Sequence, residues 1–245
     1  MSAALHAASP APEFAASDAL QRAIARHTTV VFASSFGAED MVVLDLIARA
    51  RLPIRTFTLD TGRLPQETHD LIERARARYG LAIDVWVPDA QELGRFVGEH
   101  GPNAFYASRE LRAECCRIRK TAPLARALAG AGAWVTGLRR EQGVTRATVE
   151  VDEHDPLHGI AKVNPLALWT HAEVWEYLRE HQVPCSALHE RGYPSIGCAP
   201  CTRAVLPGDD PRSGRWWWEN AEARECGLHR RPATARAVIP VEAVA

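Results

Sequence analysis

Neither sign of charge is in excess in this 245-residue chain: 29 Lys and Arg face 30 Asp and Glu, for a formal net charge of −1. That balance argues against a protein that coats nucleic acid, and an apolar fraction of 47% argues against disorder. Long hydrophobic runs are also missing. No stretch approaches the roughly 18 apolar residues of a membrane span, so no membrane partner is expected. Met1 to Phe14 lacks both a basic opening and an apolar centre, and reads as a loose Ala-, Ser- and Pro-rich tail rather than a signal peptide. A cytoplasmic location is therefore expected, where paired cysteines serve as metal ligands or redox groups more often than as disulfides.

What the chain does have is an alternation of strand and helix signals. Thr28 to Ala33 reads as a buried strand, and Ile54–Leu59, Ile83–Val87, Ala133–Thr136 and Ile160–Val163 read as four more. Helical spacing covers Ala15–Arg26, Met41–Ala50, Gln66–Tyr79 behind Pro65, and most of Gln91–Gly130. It returns over His171–His181, which Thr170 and Glu173 open with a capping box. This order predicts one α/β domain on a doubly wound, mostly parallel sheet, turning irregular beyond about Pro184. Ligands of such sheets bind beyond the carboxyl ends of the strands. The turns Ser34-Ser35-Phe36-Gly37, Asp60-Thr61-Gly62 (directly after Leu59) and Gly137-Leu138-Arg139-Arg140 are expected to line one crevice there. The first leads into a helix N-terminus and suits an anion such as phosphate, although it is neither a dinucleotide fingerprint nor a P-loop.

Cysteine is the most informative residue. Cys115 and Cys116 are adjacent, Cys198 and Cys201 form a C-x-x-C, and Cys226 stands in Glu225-Cys226-Gly227-Leu228-His229; Cys185 has no such neighbours. The two pairs supply a thiolate set for one metal centre and leave Cys226 as a candidate nucleophile. Zinc, an iron–sulfur cluster and unmetallated thiols all stay open. Adjacent side chains on a helix diverge by about 100°, which chelates a small zinc ion poorly. A larger 4Fe-4S cubane tolerates such a pair better. Basic residues crowd both pairs: Arg109, Arg112, Arg117, Arg119 and Lys120 around the first, and Arg203, Arg212, Arg215, Arg224, Arg230 and Arg231 around the second and Cys226. They read either as solvated helix faces or as cations that favour a reachable thiolate. Trp216-Trp217-Trp218 reads as packing, with ligand stacking or partner docking as the alternative.

Taken in order, Ser34-Ser35-Phe36-Gly37-Ala38-Glu39-Asp40, Leu59-Asp60-Thr61-Gly62, Cys115-Cys116-x-x-Arg119-Lys120, Thr136-Gly137-Leu138-Arg139-Arg140, Cys198-x-x-Cys201 and the terminal Cys226-Gly227-Leu228-His229 form a pattern. The chain so resembles the assimilatory adenylyl-sulfate reductases, within the phosphoadenylyl-sulfate/adenylyl-sulfate reductase family, from about Val30 to His229. The resemblance implies an adenine-nucleotide α-hydrolase-like fold, one 4Fe-4S cluster, and thioredoxin- or glutaredoxin-dependent reduction of adenosine 5′-phosphosulfate to sulfite and AMP. Members with the four extra cysteines generally use the nucleotide without a 3′-phosphate. By motif, Cys115, Cys116, Cys198 and Cys201 would hold the cluster and Cys226 would be the nucleophile. Lys120, Arg212, Arg215 and His229 would contact the phosphosulfate. Ser34, Ser35 and Leu59, Asp60, Thr61 and Gly62 would hold the adenosine, with Arg139 counted among the substrate ligands. The implied organisation is a tail over 1–14, a nucleotide- and cluster-binding domain over 15–206, and a mobile C-terminal segment over 207–245 carrying Cys226. Self-association is left open. Cys185 stands where a tyrosine is expected.

Other functions compete with this one. A 3′-phosphoadenylyl-sulfate reductase differs only in its nucleotide. ATP-dependent ligases and tRNA-thiolating enzymes carry a similar loop after the first strand, usually Ser-Gly-Gly-x-Asp-Ser. Here Phe36 and Glu39-Asp40 replace its glycine and Asp-Ser positions, and no basic extension for tRNA is visible. A non-catalytic metal protein that senses redox state would leave Cys226 without a task.

Overall fold

A computed structural model describes residues 12–143 and 146–219. Six strands, β1 (Val30–Ala33), β2 (Arg55–Leu59), β3 (Ile83–Trp86), β4 (Ala133–Val135), β5 (Asp152–Asp155) and β6 (Ile160–Val163), form one sheet in the order β3-β2-β1-β4-β6-β5. Every pairing is parallel except β5 with β6. The central strands Val-Val-Phe-Ala and Ala-Trp-Val are buried along nearly their whole length. Strands covered on both faces need such continuous apolar runs, which is why they were readable. The antiparallel edge strand β5 is a finding the sequence did not announce. Asp-Glu-His-Asp has no strand propensity, and it is held by a hairpin in which Gly159, at φ +67°, donates its N–H to the Asp155 carbonyl (2.8 Å).

Helices α1 (Pro12–Arg26), α2 (Ala38–Arg49), α3 (Gln66–Tyr79), α4 (Ala90–His100), α5 (Arg109–Cys116), α6 (Ala122–Leu128) and α7 (His171–Glu180) cover the sheet. The first begins at Pro12, within the range 1–14 expected to be a loose tail, whose earlier residues lie outside the described ones. Pro65 occupies the N-cap of α3 rather than its first turn. On α7 the capping box forms, with the Glu173 N–H donating to Thr170 Oγ1 and the Thr170 N–H to Glu173 Oε2. Helix α2 is buried almost all round, Met41 to Leu44 being wholly inaccessible, because it lies in the main core with residues of α1 and α7 around it. Of its two buried carboxylates, Asp45 accepts hydrogen bonds from Tyr79 Oη (2.8 Å) and Tyr177 Oη (2.7 Å), so it is buried at little cost. None of the helices among the described residues is long and apolar enough to cross a membrane.

Two features position the site. Chain order reverses between β1 and β4, and this switch point opens a crevice at the carboxyl ends of the strands, flanked by the first and third turns. Between α5 and α6 the helix widens into a π turn over Arg117–Thr121, directly after the adjacent cysteines. Such turns concentrate at functional sites.

Candidate active site

The turn after β1 is strained and internally bonded. Phe36 is buried with φ at +60°, a conformation that a bulky side chain rarely adopts. Its N–H donates to Ser34 Oγ (3.2 Å). Ser35 donates both its N–H (2.5 Å) and its hydroxyl (2.7 Å) to Asp40 Oδ2, in the first turn of α2. The Gly137 backbone, from the turn after β4, packs closely against Asp40. A Cβ built at Gly137 would collide with the Asp40 carboxylate and lie 3.1 Å from the Asp40 nitrogen, so glycine is required for this approach. Burial raises the Asp40 carboxyl to about 6 against the pull of the Ser35 bonds. Arg139 was expected among the substrate ligands. It is buried, donating to Glu39 Oε1 from Nε (3.0 Å) and Nη2 (2.7 Å), to Glu141 Oε2 (3.3 Å) and to the Trp169 carbonyl (3.2 Å). These bonds fix its guanidinium against the first turn of α2 and the end of the loop before α7.

The turn after β2 links this crevice to the cysteines. Asp60 Oδ1 accepts from the Gly62 N–H (2.8 Å), closing a small turn that puts Gly62 at φ +67°. Thr61 Oγ1 lies 3.3 Å from Cys198 Sγ, and the Thr61 carbonyl accepts from Arg119 Nη1 (2.5 Å). Next along, the Arg63 carbonyl receives the Ala199 N–H (2.8 Å), fixing the Cys198-x-x-Cys201 turn to the end of β2.

The four predicted metal ligands meet there. Cys115, Cys116, Cys198 and Cys201 line one small cavity with Lys120, Arg63, Arg112, Arg119 and Trp216. Burial pushes the Cys201 thiol up to about 12, nearby Cys198 adding to the shift, while Lys120 and Arg215 oppose it. Burial also raises Cys115, against Arg119. Beneath them the Trp216 ring lies between two guanidinium groups, those of Arg112 and Arg215, each 4.8 Å from its centroid. Arg112 is clamped in turn by Glu219. Trp216 Nε1 and Arg119 Nε are buried donors with no partner among the described residues. Among those residues, no three Cys, His, Asp or Glu side chains are grouped to hold a single metal ion. The donor set nonetheless fits an anionic thiolate-bound cluster: four soft ligands, adjacent cations and two orphaned N–H donors.

Other expected site residues are more scattered. Arg215 donates from Nη1 to Ser195 Oγ (3.2 Å) and the Ile196 carbonyl (3.3 Å), behind the cavity rather than in it. Arg212 comes close to Gly143, beside the turn after β4. Residues 211–219, assigned above to the C-terminal segment, fold onto the domain, with the Trp216 N–H on the Cys201 carbonyl (3.2 Å) and Arg215 buried. Cys226 and His229 lie outside the described residues. Cys185 is half-buried, its Sγ on the Val183 carbonyl (3.3 Å), and takes no part. Arg63 and Asp40 were missed as site residues: nothing local distinguishes Arg63, whereas Asp40 stood inside a quoted motif.

Residues 29–204 match the phosphoadenosine phosphosulfate reductase domain. The chain belongs to that family. An adenosine 5′-phosphosulfate reductase of Allochromatium vinosum is 53% identical over 93% of this chain and 89% of its own length. One from Burkholderia cepacia is 56% identical over 89% of each. Among solved structures, the phosphoadenylyl-sulfate reductase from Candida auris, in a phosphate complex, superposes with a TM-score of 0.67 at 28% identity, over 78% of this chain and 90% of that one. The Candida glabrata FMN adenylyltransferase shares the fold alone, with a TM-score of 0.56 at 16% identity, over 87% of this chain and 73% of that one. The mostly parallel α/β architecture expected of the reductase family is thus the one observed, and the chain is an oxidoreductase acting on sulfur.

Proposed function

We propose that this chain reduces adenosine 5′-phosphosulfate to sulfite and AMP in assimilatory sulfate reduction, drawing its electrons from a thioredoxin- or glutaredoxin-type thiol protein in the cytoplasm. One observation supports this most: the turn that ends β2 touches, through Thr61, a cavity where four cysteines and Lys120 meet. A nucleotide lying across the crevice would direct its anionic end toward those cations. The relatives named adenosine 5′-phosphosulfate reductases favour the nucleotide without a 3′-phosphate.

The chemistry follows from the sulfur. Sulfate sulfur is fully oxidised, and the mixed anhydride gives it AMP as a good leaving group. The Cys226 thiolate attacks that sulfur, the sulfur–oxygen bond to AMP breaks, and an S-sulfonated cysteine remains. A second thiolate then attacks Cys226 Sγ, expelling sulfite and leaving a disulfide, so that two thiols supply the electron pair. No second free cysteine lies within a C-x-x-C of Cys226, which favours an outside thiol protein. Lys120, with Arg212, Arg215 and His229, would offset the repulsion between an anionic nucleophile and a dianionic substrate. A 4Fe-4S cluster held by Cys115, Cys116, Cys198 and Cys201 would shape the electrostatics of the pocket rather than carry electrons. The residues of the first two turns, Ser34, Ser35 and Leu59 to Gly62, would seat the adenosine.

Anaerobic turnover with reduced thioredoxin tests the reading. Sulfite should be released from adenosine 5′-phosphosulfate much faster than from its 3′-phosphorylated form, and Cys226→Ser should bind the nucleotide without releasing sulfite. Pyrophosphate release from ATP, or sulfite production surviving that substitution, would overturn it.

A further inference from the structure

The loop after β1 has the build of a phosphate cradle, a turn feeding a helix N-terminus, but a carboxylate of the chain already takes both donors of Ser35. Both donors of Ser35, the N–H at 2.5 Å and the hydroxyl at 2.7 Å, point at Asp40 Oδ2. The Gly137 backbone from the facing turn packs against the same carboxylate. Asp40 is 8% exposed, and the missing Cβ at Gly137 makes room for its carboxylate. Arg139, from the facing turn, is paired with Glu39 and Glu141. Two carboxylates, Glu39 and Asp40, therefore stand at this N-terminus with one buried guanidinium. In the related Ser-Gly-Gly-x-Asp-Ser loops, the position of Asp40 carries the final serine, a neutral donor.

We propose that Asp40 determines specificity by occupying the cradle itself, so that the site rejects ATP and pyrophosphate. It then admits only adenylates whose anionic group passes the loop and reaches the cations at the cysteine cavity. This rests on the nucleotide reading above, and deepens it by stating which nucleotides are excluded and by what group. A phosphate entering the loop would have to displace Asp40 from the Ser35 donors and meet its charge at hydrogen-bond range, where like charges repel strongly.

The test is calorimetric binding of AMP, ATP and inorganic pyrophosphate, without magnesium, to the holoprotein and to Asp40→Asn and Asp40→Ser, with far-UV circular dichroism to check folding. The unaltered protein should bind AMP at least about tenfold more tightly than ATP and show no measurable pyrophosphate binding. Asp40→Ser should gain about tenfold or more for ATP and pyrophosphate while AMP changes by less than about threefold, and Asp40→Asn should fall between. Equal affinity of the unaltered protein for ATP and AMP would overturn the proposal, as would a folded Asp40→Ser protein with no gain. If both substitutions unfold the chain, the ATP-to-AMP ratio of the unaltered protein still decides. Failure of AMP to bind at all would sink the nucleotide reading, while the pyrophosphate comparison would still judge Asp40.

Discussion

Two regions of the molecule, the turn after β1 and the cysteine cavity, solve opposite electrostatic problems. At the first turn an anion of the chain's own, Asp40, takes both donors of Ser35, and Arg139 is paired with Glu39. At the cysteine cavity, sulfur ligands and cations come together, and the buried N–H groups of Trp216 and Arg119 lack partners among the described residues. A buried donor left unsatisfied costs about 1–3 kcal/mol, so it marks a place built for something that arrives. The first region carries a fixed carboxylate that would repel a phosphate, whereas the second leaves buried donors open to an anion. Chemistry should therefore depend steeply on the cavity and only indirectly on the turn.

The largest break of this contrast is expected at the cysteines. Cys198→Ala should remove one ligand beside Thr61, abolish bound iron and acid-labile sulfide, and reduce sulfite production to background, whereas Asp40→Asn should keep its iron. Normal iron content in Cys198→Ala, measured anaerobically, would show that the cavity holds no four-cysteine cluster. A smaller effect belongs to Lys120. Its charge faces the cavity sulfurs and lies where a phosphosulfate would end. Lys120→Ala should lower kcat/KM by ~10²–10³, similar to the loss of one oxyanion donor, with iron unchanged. Near-normal turnover would remove the lysine from the substrate's path.

The two regions also differ in how far they could be read from sequence. The cysteine set was legible because thiols in two close pairs have few other uses, and the central strands because double burial demands unbroken apolar runs. The strand Asp152–Asp155 was not legible, since a polar edge strand owes its existence to its partner. Nor was the π turn after Cys116, which its own residues do not announce. Arg139 shows the limit most clearly. Its charge and its place after a strand suggested a ligand contact, and only folding reveals its pairing with Glu39, 100 residues away. Asp40 was hidden for a similar reason: its burial depends on the absence of a side chain at Gly137.

The smallest predicted effect sharpens the contrast from the turn's side. Burial lifts Asp40 from 3.8 to about 6, so the native state holds this proton more tightly than the unfolded chain does. Between those two values stability must fall as pH rises, because the folded protein binds the extra proton there. Below the lower value the penalty is absent, and above the upper value it is complete. At 1.36 kcal/mol per unit, it amounts to at most ~3 kcal/mol in the unaltered protein and has no counterpart in Asp40→Asn, whose side chain does not titrate. The apparent unfolding temperature of Asp40→Asn, relative to the unaltered protein, should therefore rise by up to roughly 6–12 °C between pH 4 and pH 7 and stay level beyond, given roughly 2–4 °C per kcal/mol for a chain of this size. Parallel profiles across that range would mean that the carboxylate is not strained by burial. The turn would then resemble the cavity in being open to an outside charge, and the division between an excluding region and a binding region would fail.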